Sequence, residues 1–109
     1  MIWAIVRFQF QGVHRWKDAP EEVAFLRNEH RHVFHCEVAI QQVEGVDRDI
    51  EYIMFKNALQ IAIPLFHTSV EDSCETMATN IRNFVLKTFP DRQVIVQVFE
   101  DNENGAMVN

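Results

Sequence analysis

Two stretches near the N-terminus and one near the C-terminus alternate apolar and polar residues, while most of residues 50–88 follow helical spacing. This division constrains the fold most. An alternating segment buries one face, so the strands must gather into a sheet whose apolar face the helices cover. Residues 2–11, IWAIVRFQFQ, set Phe8 and Phe10 on one face and Arg7, Gln9 and Gln11 on the other. That is a half-buried strand, which Gly12 ends or bulges. Residues 15–28 carry charges, Pro20 and a short EEVAFL stretch, and read as a long loop with room for one helical turn. Residues 29–43 predict a second strand. His30, His32, Phe34, Cys36, Val38 and Ile40 share one face, and Arg31, Val33, His35, Glu37, Ala39 and Gln41 the other. Glu44 to Asp47 form a turn.

Residues 50–63 have apolar side chains at 50, 53, 54, 58, 61 and 62, with Tyr52, Phe55 and Leu59 widening the apolar surface. A helix apolar on most sides is normally buried on most sides, which in so short a chain predicts contacts between subunits. Pro64 stops it. Residues 73–88 form the clearest helix, with Asp72 and Glu75 spaced as a capping box and Pro90 past its end. Residues 92–100 are a strand, Asp101 to Gly105 an acidic turn, and 106–108 a short fourth strand. The expected order is β-β-α-α-β-β in one domain over 1–109: an α+β chain, its sheet antiparallel with helices on one face.

Composition narrows the function. A net charge of −6 argues against a protein built to grip nucleic acid phosphates. No apolar run approaches the ~20 residues of a membrane span. The N-terminal residues lack the basic region and cleavage site of a signal peptide. Cys36 and Cys74 lie in no CxxC pair, so a disulfide framework and a cysteine-rich zinc site are excluded. Two free thiols in the cytoplasm is the default expectation. With three glycines, dispersed, the chain has no phosphate-cradling loop.

The histidines are the unusual asset. His30 and His32 project from one strand face within reach of a single ion. Antiparallel pairing brings the end of the first strand, and with it His14, close to the start of the second. Neutral imidazole is a good zinc ligand, and a catalytic zinc usually has three protein ligands. His35 points to the opposite face. Cys36 lies about 13 Å beyond His32 along the strand and reads as core. Trp3 and Trp16 read as packing residues, and Arg15 and Lys17 as a solvated stretch.

Phe10-Gln11-Gly12-Val13-His14, Glu29-His30-Arg31-His32, and Asp49-Ile50-Glu51-Tyr52 with Lys56 resemble the 6-pyruvoyltetrahydropterin synthase / 6-carboxytetrahydropterin synthase family. The likeness continues through Ser73-Cys74-Glu75 and ends at Val96-Gln97-Val98-Phe99-Glu100, spanning almost the whole chain. It implies the tunnelling fold, in which subunits join sheets into a barrel as trimers or hexamers with sites between them. It implies Zn²⁺ held by His14, His30 and His32, and a small-molecule pterin whose ring Glu100 holds. The implied substrate is dihydroneopterin triphosphate or a close analogue, in pterin or deazaguanine synthesis, with zinc-dependent lyase chemistry.

The chain departs from the family at several positions. No cysteine precedes the His-x-His, so Glu29, Glu22 or Glu21 is left as a substitute base. The family's Asp-His relay falls at Phe66-His67, keeping only the histidine. Arg31 stands where the family has glycine. These departures give the alternative of a non-catalytic binder of a pterin, purine or nucleotide, and beyond it a structural oligomer with a decayed site.

Overall fold

β-Branched and aromatic residues at alternate positions suit a pleated, half-buried surface, and two long strands result. β1 (Trp3–His14) and β2 (His30–Gln41) pair antiparallel along their whole length, from Trp3 opposite Gln41 to His14 opposite His30. β3 (Val94–Glu100) pairs with the other side of β2, and β4 (Asn104–Val108) with β3. In the computed structural model, which describes residues 1–109, these make one open antiparallel sheet in the order β1-β2-β3-β4. Between β2 and β3 the chain forms α1 (Tyr52–Ile61), α2 (Ile63–Phe66) and α3 (Cys74–Thr88). The architecture is α+β. Val6, Phe8, Phe34, Val38, Val96 and Val98 are buried on the inner sheet face, in one core with Leu59, Met77 and Ile81 of the helices. On the outer face Ile5, Arg7, Gln9, Gln11 and Met107 are exposed. No helix is long and apolar enough to cross a membrane.

Several local expectations change. Gly12 does not end β1. The ladder runs on to His14, and Gly12 sits opposite His32. A Cβ there would come 2.9 Å from Phe34 Cε2, so the missing side chain admits the Phe34 ring. Within 15–28, Glu21–Arg27 wind into a 3₁₀ segment, tied down by Arg27 Nε donating to the Ala19 carbonyl at 2.8 Å. The helix expected over 50–63 is shorter and followed by a second. α1 begins at Tyr52, where the Glu51 side chain accepts from the Met54 N–H at 2.7 Å, and α2 begins at Ile63. Pro64 lies in the first turn of α2, where no intrahelical donor is lost. The capping box is not formed. Ser73 caps α3 by accepting from the Thr76 N–H at 3.1 Å. Asp72 instead turns back, its Oδ2 accepting from the N–H groups of Thr68 at 2.8 Å and Ser69 at 3.2 Å. The fourth strand starts at Asn104, so the β3–β4 turn narrows to three residues, Asp101–Glu103. Asp101 and Asn102 both take positive φ, 51° and 60°.

Candidate metal centre

Strand register assembles the site. His14 ends β1 directly opposite His30, and His32 lies two residues further along β2 on the same inner face. On the far side of β2, Glu100 ends β3 opposite Phe34, whose partner on β1 is Phe10. The ring of the fully buried Phe34 lies 5.2 Å from that of His14 and 5.8 Å from that of His32, giving the histidines an apolar floor. The imidazole centroids are 4.6 Å (His14–His30), 5.2 Å (His14–His32) and 4.9 Å (His30–His32) apart, all edge-on. Glu100 Oε2 lies 2.8 Å from His14 Nε2 and 3.3 Å from His32 Nε2. One donor atom from each of these four side chains lies within 4.8 Å of the other three.

The back of each ring is fastened. His14 Nδ1 donates to the Asp72 carbonyl at 2.8 Å, and His30 Nδ1 to the Asn28 carbonyl at 2.9 Å. His32 Nδ1 donates to Asp101 Oδ2 at 2.7 Å. A carbonyl oxygen only accepts, so Nδ1 carries a proton in His14 and His30, and in the neutral tautomer each ring turns its Nε2 lone pair inward. In His32 the carboxylate does the same. Hydrogen bonds to Asp101 from His32 and from the Val33 N–H hold its carboxyl below the usual range, keeping it ionised. Despite the 2.8 Å approach of Glu100, the buried His14 Nε2 makes no hydrogen bond. Inward lone pairs and a carboxylate repel one another unless a cation stands among them. This group therefore fits a metal ion, with outer partners that fix tautomer and ring orientation.

Neither a family model nor a curated protein matches the chain.

Beside the cluster opens a cavity of about 540 Å³, lined by His14, His30 and Glu100 and by Trp16, Ser73 and Glu75 among others. Trp16 is half-exposed at this cavity, where the sequence suggested a packing role. Arg15 also borders it but is paired with Glu71, Nε to Oε1 at 2.6 Å. Cys74 lines it too. Burial, with the negative charges of Glu100 and Glu75, pushes its thiol up to about 12. Burial pushes Cys36 equally far, so both are protonated at neutral pH and neither is an activated nucleophile.

The remaining candidates stand apart. Glu29 is exposed just before β2 and does not line the cavity. Glu21 and Glu22 are exposed on the 3₁₀ segment, Glu21 paired with Arg27 at 3.2 Å. His67 packs near Phe34, ring centroids 6.0 Å apart, and lies outside the cavity lining. Its Nε2 donates to the Val13 carbonyl at 2.8 Å, leaving Nδ1 buried without a hydrogen bond, 3.8 Å from Asp72 Oδ2. Arg31 turns to the outer face, where it donates to Gln11 at 3.4 Å. His35 is also on the outer face, in a second hollow with Arg7 and Lys56.

Two residues escaped the sequence reading. Asp101 orients His32, and Asp72 reaches both the back of His14 through its carbonyl and the neighbourhood of His67 through its carboxylate. Asp101 carried a usable signal, an acidic residue at a strand end beside Glu100. Asp72 carried a misleading one, because its spacing to Glu75 imitates a helix cap.

Proposed function

We propose that this chain binds zinc through His14, His30 and His32 and handles a pterin, as a divergent member of the 6-pyruvoyltetrahydropterin / 6-carboxytetrahydropterin synthase family with the tunnelling fold. One observation carries the reading: three imidazoles converge on one point while each Nδ1 is held by a partner outside the cluster. An all-imidazole trio with a nearby carboxylate suits zinc among the common biological cations. When bound, zinc would polarise the side-chain oxygens of a dihydropterin and acidify the neighbouring C–H bonds. The chain's own residues do the rest. The cavity has room for a bicyclic ring, with Trp16 as an apolar wall. Its carboxylates at Glu75 and Glu100 suit the adjacent N–H and NH₂ of a 2-amino-4-oxopyrimidine, which pair with one carboxylate in bidentate fashion. The reaction would be elimination of triphosphate from dihydroneopterin triphosphate, supplying pterin or deazaguanine synthesis. Incubating zinc-loaded protein with that substrate and analysing the pterins tests it. Absence of turnover by fully loaded protein would remove the enzymatic version.

A second reading, a non-catalytic binder of a pterin, purine or nucleotide, is favoured by the proton-transfer groups. Both thiols are buried and protonated, and neither Glu29 nor His67 reaches the cavity lining. Native mass spectrometry of protein purified from cells would then find a stoichiometric, chemically unaltered ligand.

The same proposal includes a homotrimer or homohexamer with sites between subunits. The edge strands β1 and β4, the exposed Ile53, Met54 and Ile61 on α1, and exposed Ile5 and Met107 on the outer sheet face favour it. A monomer by light scattering would refute it. A reducing, cytoplasmic setting is proposed on the two free thiols.

A further inference from the structure

We infer that Glu100 is a displaceable fourth ligand: it closes the metal site at rest and leaves the metal when a ligand occupies the adjoining cavity. This rests on the metal-binding reading above and adds a second state to it.

The donor set comes first. Three histidines and one carboxylate complete the four ligands of tetrahedral zinc, and a metal so enclosed has no open position for a substrate atom. Glu100 Oε2, at 2.8 Å from His14 Nε2 and 3.3 Å from His32 Nε2, stands where the fourth ligand belongs. The family resemblance implies a different role for Glu100, as the anchor of a heterocyclic ring. One carboxylate cannot hold the metal and a ring edge together, so the two roles must alternate.

The four donors also differ in how they are held. His14, His30 and His32 are each fastened at Nδ1, at 2.8, 2.9 and 2.7 Å. The Glu100 carboxylate has no hydrogen bond to any group outside the cluster; its backbone is held in the sheet, and its carbonyl accepts from the Glu103 N–H at 2.9 Å. Its side chain is 32% exposed against 9% for His14. It ends β3, just before a turn, and borders the same cavity as His14 and His30. Among four donors, the one that can rotate away faces the space a ligand would fill. In the exchange one metal–oxygen bond to Glu100 breaks and one to the incoming oxygen or nitrogen donor forms. No electron moves, and the freed carboxylate is available to N–H donors in the cavity.

Cobalt(II) substitution with azide as the probe tests this. Wild-type Co²⁺ protein is expected to give the intense visible bands of a four-coordinate ion. Glu100→Gln should bind Co²⁺ at least about tenfold more weakly, since a lost ligand costs no less than a lost outer partner. Azide should alter the Glu100→Gln spectrum at lower concentration than that of wild type, and at saturation the two spectra should coincide. Glu100→Asp, shorter by one methylene, should behave like Glu100→Gln and covers the case in which the amide disturbs folding. Identical spectra and affinities for wild type and both variants would overturn ligation by Glu100, while leaving the three-histidine site intact. A wild-type spectrum that azide never changes would overturn displacement. Failure of wild type to bind Co²⁺ would overturn both this inference and the metal reading.

Discussion

Replacing Asp101 by Asn isolates the contribution of a single outer partner. The side chain keeps its size, and Asn tolerates the positive φ of 51° at this position as Asp does. The carboxylate now accepts twice, from His32 Nδ1 at 2.7 Å and from the Val33 N–H at 2.9 Å. An amide offers one oxygen and would turn its NH₂ towards the second donor. One of the two bonds is therefore lost, and the survivor is no longer charge-assisted. If Val33 retains the oxygen, the His32 ring loses what fixes its tautomer. His14 and His30 are unaffected, because backbone carbonyls hold them. One loosened ligand of this kind should raise the zinc Kd by about 10–100-fold. Competition with a chromophoric chelator near neutral pH measures the change, and circular dichroism checks that the variant is folded. A folded Asp101→Asn protein with the wild-type Kd would refute the view that the outer bond orients the ligand.

Replacing His32 by Ala should largely empty the site, while His35→Ala, altering the outer face, should leave metal content unchanged; plasma emission on the purified proteins distinguishes them. Phe34→Ala removes the fully buried floor of the cluster and should destabilise the fold by about 3–5 kcal/mol in a denaturant titration. Cys36 and Cys74, both pushed up to about 12, should resist alkylation in native protein at mildly alkaline pH and react once it is unfolded, as mass spectrometry would record. Asp49 is held below the usual carboxylate range by Arg92 and by the Val43 N–H. Its stabilising effect is full above the unfolded value near 3.9 and is lost as pH falls through the lowered folded one. Asp49→Asn should therefore be less stable than wild type at neutral pH, with the difference closing in acid melts.

Strand parity was readable because a period of two leaves no choice of face once one face is buried. That parity put His14, His30 and His32 together on the inner face and turned Arg31 and His35 away. Where a residue had two possible jobs, spacing alone misassigned it. Gly12 looked like a terminator because nothing local reveals that the Phe34 ring needs its space. Asp72 looked like a cap because its true partners, the Thr68 and Ser69 N–H groups, exist only after the 67–73 connection folds back. Asp101 meets His32 across 69 residues of chain. Pro64 marks a break but cannot say whether a helix ends before it or another begins with it.

The facing of His14 and His30 across the β1–β2 ladder also bears on how the chain zips up. A slip of one residue would set Val13 or Arg15 against His30 and carry His14 to the opposite face. A slip of two would keep the face but bring Gly12 or Trp16 to that position. Only the native alignment sets His14 directly across from His30. An ion captured during refolding would proofread this ribbon at its open end, and the time course of metal uptake would clock when the two longest strands lock.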